Sequence, residues 1–221
     1  MLMSTRHIST YKSHLAHYLL SLTFVIGSLG YGPVYAQTPE CNGYPATIVG
    51  TDGHDVLNGT SGADVIVGLE GNDTIRGRGG NDVICGGDGH DHINNAGAGN
   101  DEVYGGDGND TIEGRNGDDW LGDENGDDTL LGGDGYDDMV GGVGIDHLKG
   151  GRGDDFLDGG PWEDALNGEE GDDYIYGGDG HDLLQGRDGY DFLDGGRGHD
   201  VCEDEEEAGF SCEHQLNRPA T

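Results

Sequence analysis

The sequence predicts an all-β fold, a solenoid of tandem nonapeptide repeats, on three observations. First, an aspartate recurs as Asp55, Asp64, Asp73, Asp82, Asp91, Asp101, Asp110, Asp119, Asp128, Asp137, Asp146, Asp155, Asp164, Asp173, Asp182, Asp191 and Asp200. Every step is nine residues except Asp91 to Asp101, where one residue is inserted near Asn95, which makes 17 copies. Second, an apolar residue stands two places after each aspartate, from Leu57 and Ile66 through Leu193, with Cys202 closing the series. Third, 47 glycines against four phenylalanines and two tryptophans leave too little apolar volume for a conventional core, so something besides hydrophobic burial must hold the chain together.

Charge narrows the partner. Asp and Glu number 45 against 10 Lys and Arg, a formal net charge of −35, and a compact state carrying it repels itself unless cations bind. Nucleic acid and anionic membrane surfaces are disfavoured as partners, because both need a basic patch and the few cations are scattered.

Residues 1–36 differ from the rest. Arg6 and Lys12 precede an apolar run from Leu19 to Leu29, no acid appears before Glu40, and Val34-Tyr35-Ala36 offers a small-residue exit. This predicts a signal peptide cleaved before Gln37, with an uncleaved anchor as the alternative. A secreted, extracellular chain follows, in an oxidising compartment where calcium is plentiful, and no second stretch is long and apolar enough to span a bilayer. The remaining chain divides into an N-terminal cap segment (37–49), the repeats (50–203) and a C-terminal tail (204–221).

Each copy reads G-G-x-G-x-D-x-U-x, as in Gly177-Gly178-Asp179-Gly180-His181-Asp182-Leu183-Leu184-Gln185, with U apolar. Glycines at positions one, two and four permit a tight turn whose carbonyls point inward. Ca²⁺ takes six to eight oxygens, which a position-six carboxylate and carbonyls of a neighbouring turn supply. Three residues remain for a short strand with U inward and its neighbours outward, as with Thr74 and Arg76 around Ile75.

Over about residues 50 to 203 the sequence resembles the repeats-in-toxin, or haemolysin-type, calcium-binding family. The stretch Pro45–Thr51 and the later Ile84-Cys85-Gly86-Gly87 also resemble the opening of small secreted members. The resemblance implies a right-handed parallel β-roll with two nonapeptides per coil, alternate copies stacked on opposite edges, and Ca²⁺ between stacked turns. Stacks of nine and eight turns give roughly 15 sites at most. The expected metal ligands are Asp55, Asp64, Asp73, Asp82, Asp91, Asp101, Asp110, Asp119, Asp128, Asp137, Asp146, Asp155, Asp173, Asp182, Asp191 and Asp200, and binding and folding are expected to be one process.

Departures from the repeat carry their own expectations. Trp162, after Pro161, takes a turn position otherwise given to glycine, so Asp164 is left out of the ligand set. The ten-residue copy at Asn95–Gly97, and Asp123 in place of a first glycine, are expected to distort their turns. Four cysteines in an exported chain suggest two disulfides; of three connectivities, chain proximity favours Cys41 with Cys85 and Cys202 with Cys212. His54, His90, His181 and His199 fall at position five. The last two lie on adjacent turns of one edge in a roll and suit a transition metal, but Tyr136, Ile145 and Tyr190 at the same position favour a merely tolerant site. The run Glu203–Glu207 reads as a solvated acidic segment.

The expected activity is therefore Ca²⁺ binding by an extracellular structural or adhesive module, with calcium bridging it to cell-surface or matrix polyanions. No H-E-x-x-H or G-x-S-x-G occurs and each repeat carboxylate already has a ligand role, so an enzyme is not expected. The alternative is an accessory or remnant module of a secreted hydrolase or toxin. Ice binding is disfavoured because Thr74, Thr111 and Thr129 stand among charged residues rather than in a flat threonine array.

Overall fold

An alternating strand of three residues can bury only its middle side chain, and the nonapeptide places its apolar residue there. In a computed structural model, which describes residues 38–203, that choice sets the whole architecture. Successive copies go to alternate sheets, one of nine strands and one of ten, giving a parallel β-solenoid of about nine turns with no helix among the described residues. The expected leader (1–36) and tail (204–221) lie outside the described residues, and no described helix is long and apolar enough to cross a membrane.

Register is kept by stacking like on like. Leu57, Ile75, Ile93, Ile112, Leu130, Leu148, Leu166, Leu184 and Cys202 pair in turn down the first sheet. Ile48, Ile66, Ile84, Val103, Leu121, Met139, Leu157, Ile175 and Leu193 do so down the second. These two facing rows, with Ala96, are the main core. Each coil thus buries only two such side chains, each worth about 1.5–3 kcal/mol.

The inserted residue does not disturb the stack. Register shifts between Glu113 and Arg115, which face Asn94 and Gly97, so the strand absorbs the extra residue as a bulge and buries Ala96 in the core. The turn that follows keeps its place, contrary to the expected distortion.

Ahead of the repeats, Ile48–Val49 adds a strand beside Ile66 and Val67. Before it, Glu40–Cys41 pairs antiparallel with Tyr44–Pro45 around Asn42 and Gly43, whose φ values of 47° and 81° are those of a tight Asn-Gly hairpin turn. This hairpin lies on the outer face of the second sheet, where Cys41 is buried with Val67, Cys85 and Tyr104. A Cys41–Cys85 disulfide fixes it there. Cys202 is also disulfide-bonded; its expected partner, Cys212, lies outside the described residues.

Candidate metal centre

The turns stack so closely that, at the glycines of positions two and four within the stack, an added Cβ would meet the coil before it. A Cβ at Gly87 would run into the Leu69 carbonyl, and one at Gly135 into the Gly117 carbonyl. Position two is mostly left-handed backbone, held at φ 82–91° by Leu69, Arg78, Arg115, Glu169 and Arg187 where glycine is missing, whereas Thr51, Thr60 and Glu124 occupy it without a positive φ.

This packing brings the repeat aspartates into two ladders, one along each edge. From Asp55 to Asp182, each ladder aspartate donates its backbone N–H to Oδ1 of the aspartate one coil later, at 2.7–3.1 Å. One ladder runs Asp55, Asp73, Asp91, Asp110, Asp128, Asp146, Asp164, Asp182 and Asp200. The other runs Asp64, Asp82, Asp101, Asp119, Asp137, Asp155, Asp173 and Asp191. All 16 expected ligand residues are therefore brought together, in stacks of nine and eight that also take in Asp164.

The second carboxylate oxygen is the chemically telling one. For every ladder aspartate from Asp73 to Asp182, Oδ2 is buried without a hydrogen-bond partner, a costly state for a carboxylate unless a cation faces it. Position-one glycines mark where that cation belongs. A Cβ at Gly159 would lie 2.6 Å from Asp164 Oδ2 and 2.8 Å from the Gly177 carbonyl, and at Gly177 the same space is bounded by Asp182 Oδ2 and the Gly195 carbonyl. Carboxylate and carbonyl oxygens converging on a space that glycine leaves open form the hard-oxygen donor set that Ca²⁺ prefers, so these residues fit the ion.

The same burial leaves its mark on titration. In the ion-free chain desolvation, opposed by the backbone N–H bond and reinforced by neighbouring aspartates, pushes Asp155 up to about 8 and Asp110, Asp137 and Asp173 up to about 7. Asp91, Asp119 and Asp182 rise to about 6 by desolvation above all. The most shifted of them, Asp155, holds a proton at neutrality unless a cation replaces it.

The sites are not uniform. Oδ2 of Asp55 accepts from the Thr51 N–H and hydroxyl at 2.7 and 2.8 Å, and Oδ2 of Asp64 accepts likewise from Thr60, so the first turn of each ladder already satisfies its carboxylate. Asp164, omitted from the expected ligands, has the geometry of its neighbours: 3% exposed, Oδ2 without partner, and ladder bonds to Asp146 and Asp182. Trp162 takes the left-handed φ of the glycine it replaces, 99°, and keeps its ring mostly outside, so the turn survives. Asp123 was also missed as a functional residue. Its side chain enters the space beside Gly105 and joins Asp110 and Asp128, with ligand oxygens all within 4.8 Å of one another.

Position five carries a ladder of opposite sense. The side chain of one coil accepts the position-five N–H of the next, as from Asn72 to His54 Nδ1 (2.8 Å), His90 to Asn72 Oδ1 (3.1 Å) and Asn109 to His90 Nδ1 (2.7 Å). His181 and His199 stack with ring centroids 5.3 Å apart, and His181 Nδ1 accepts the His199 N–H at 3.0 Å. That bond commits one ring nitrogen to the fold, which supports the tolerant-site reading over a transition metal.

Away from the turns, a groove of about 800 Å³ crosses the first sheet between Arg115, Lys149, Arg152 and Arg187 and the acids Asp134, Glu169 and Glu170. Its charges are matched: Lys149 pairs with Glu169 at 2.9 Å, and Arg152 with Asp134 and Glu170 at 3.4 and 3.5 Å.

The family model for the RTX calcium-binding nonapeptide repeat (4 copies) matches residues 46–73, 58–93, 95–121, 131–161 and 167–202. The residues left between those matches, 94, 122–130 and 162–166, fall at the bulge, the Asp123 copy and the Trp162 turn. No curated protein matches the chain.

Proposed function

Because the chain belongs to the RTX calcium-binding nonapeptide repeat family, we propose that it is a secreted, non-enzymatic module that folds as it takes up Ca²⁺ through its ladder aspartates and serves a structural or adhesive role outside the cell. The observation that carries the calcium reading is the row of buried Oδ2 atoms without partners, set against carbonyls on both edges of the solenoid. Neutralising those carboxylates removes the largest obstacle to compaction in a chain of net charge −35, so ion uptake and folding are coupled. Export is supported by the leader pattern of residues 1–36 and by the Cys41–Cys85 disulfide, a bond that persists in oxidising compartments.

The adhesive reading rests on the second sheet's outer face. Beyond the hairpin this face carries Phe156, Tyr174, Tyr176 and Phe192 as neighbouring rings, with centroids 5.5–6.1 Å apart. Tyr174 is 50% and Phe192 41% exposed, on a rigid parallel sheet. Such a row suits contact with another surface, and outer acids beside it, such as Asp158 and Asp194, suit calcium bridges to polyanions.

A calcium titration followed by far-ultraviolet circular dichroism, with magnesium as control, tests the first part. Cooperative gain of β signal at roughly 0.1–1 mM Ca²⁺ is expected. No change up to about 10 mM overturns the calcium-folding reading. Retention on an immobilised polyanionic polysaccharide, released by chelator, tests the adhesive part; equal retention with and without calcium overturns the bridging role.

A further inference from the structure

Two of the 17 copies break the repeat at position one, where a glycine's missing Cβ otherwise leaves room for the cation: the sixth has Ala96, and the ninth has Asp123, which brings a carboxylate. Its carboxylate folds into the neighbouring site: a Cβ at Gly105 would sit against Asp123 Oδ2 and 2.7 Å from Asp110 Oδ2, where other copies present a glycine carbonyl.

Three carboxylates thus converge, each held through one oxygen by the backbone and leaving the other for an ion. Asp110 Oδ1 accepts the Asp91 N–H and Asp128 Oδ1 the Asp110 N–H, both at 2.7 Å. Asp123 Oδ1 accepts the N–H groups of Gly106 and Glu124, both at 2.9 Å. All three Oδ2 atoms are buried without partners, and the Asp110 and Asp128 side chains are 2% and 0% exposed. Among the described residues this is where three acidic ligand atoms lie within 4.8 Å of one another.

We propose that Asp123 makes the turn pair around Asp110 and Asp128 a three-carboxylate site, the first in the array to fill and the tightest for Ca²⁺. The argument rests on the calcium-binding reading above and sharpens it. Oxygen-ligand sites for Ca²⁺ are tuned by the number of charged ligands and by rigidity, and this site exceeds its neighbours in the first while matching them in the second. Its place matters as well. In a quasi-one-dimensional array order spreads from wherever it starts, and a tight site at the ninth of 17 copies lets coils add in both directions.

Competition against a chelator of known affinity, on the full chain, resolves ions into affinity classes for the wild type, Asp123→Gly and Asp123→Asn. Asp123→Gly restores the glycine that all but one of the other copies carry, and Asp123→Asn keeps the shape without the charge. The wild type should show one ion held at least about tenfold more tightly than the rest. Both variants should lose that class while reaching the same β signal at saturating Ca²⁺. A wild type without a tight class, a tight class that survives in Asp123→Asn, or a variant short of full β signal at saturation would each overturn the proposal. A wild type that takes up no calcium would overturn the family-based reading as well, which separates the two failures.

Discussion

The backbone N–H of Asp137 donates to Oδ1 of Asp155 at 2.8 Å, while Oδ2 of the same carboxylate is buried with no protein partner. One side chain therefore has two separable tasks. Asp155→Asn should keep the acceptor for Asp137 and lose the charge, so it weakens calcium uptake at that edge while the stack persists at saturating calcium. Asp155→Ala should also strand the buried Asp137 N–H, costing a further 1–3 kcal/mol or so in denaturation at saturating calcium. Equal stability of the two variants would show that the ladder bond contributes nothing.

Acidity should substitute for calcium. Folded carboxyls such as Asp155 and Asp137 titrate near 8 and 7, raised from 3.8 chiefly by burial, so the folded ion-free chain binds more protons than the unfolded one between these values. The stability these carboxyls contribute to the ion-free solenoid is then fully present below about pH 4 and is lost progressively as pH climbs to about 8. Chelator-treated protein taken from pH 8 to pH 4 should gain β signal, and the calcium midpoint should fall as pH rises over the same range. A calcium midpoint independent of pH would refute the coupling.

Trp162 sits at φ 99° where glycine is free of strain. Trp162→Gly should raise stability at saturating calcium by about 1–3 kcal/mol and leave the number of bound ions unchanged, because Asp164 already stands in the ladder. A changed ion count, read by equilibrium dialysis, would mean that the Trp162 turn holds its site differently from its neighbours.

The Cys41–Cys85 disulfide spans 44 residues and ties the hairpin to the second sheet. A Cys41→Ala/Cys85→Ala double variant should lose roughly 2–4 kcal/mol in calcium-loaded denaturation. The loss should appear as fraying of the first coils, seen as faster amide exchange at Val67 and Tyr104 than at Leu157. Uniform acceleration along the chain would contradict a local staple.

Much of this architecture was legible in spacing alone. A nine-residue period with an apolar residue two places after each aspartate dictates which side chain turns inward, and so both core rows. The two stacks, with 18 residues to a coil, were implied by the family resemblance and not by spacing, and Asp73 N–H meeting Asp91 Oδ1 bears them out. What escaped the sequence depends on how a deviant residue is accommodated. Trp162 and the Asn95 insertion read as disruptions, yet one adopts glycine's backbone angle and the other becomes a bulge outside the turn. Asp123 read as a lost glycine because its value lies in where its side chain goes, into the site beside Gly105. The position-five ladder was hidden because His, Asn and Asp, so different in the one-letter sequence, all offer an acceptor at similar reach.

The aspartate ladders also have a sense. Every coil gives its buried amide to the coil that comes after it, so no coil completes its own hydrogen bonding until its successor arrives. For a chain delivered amino end first, each coil waits, half-closed, for the next to emerge. The two ends are chemically unlike in consequence. In the aspartate ladders a coil removed from the carboxyl end leaves amides without their carboxylate acceptors, whereas a coil removed from the amino end leaves carboxylate oxygens without their donors. The direction in which one hydrogen bond points thus gives the aspartate ladders a carboxylate-bearing face toward one end of the solenoid and an amide-bearing face toward the other.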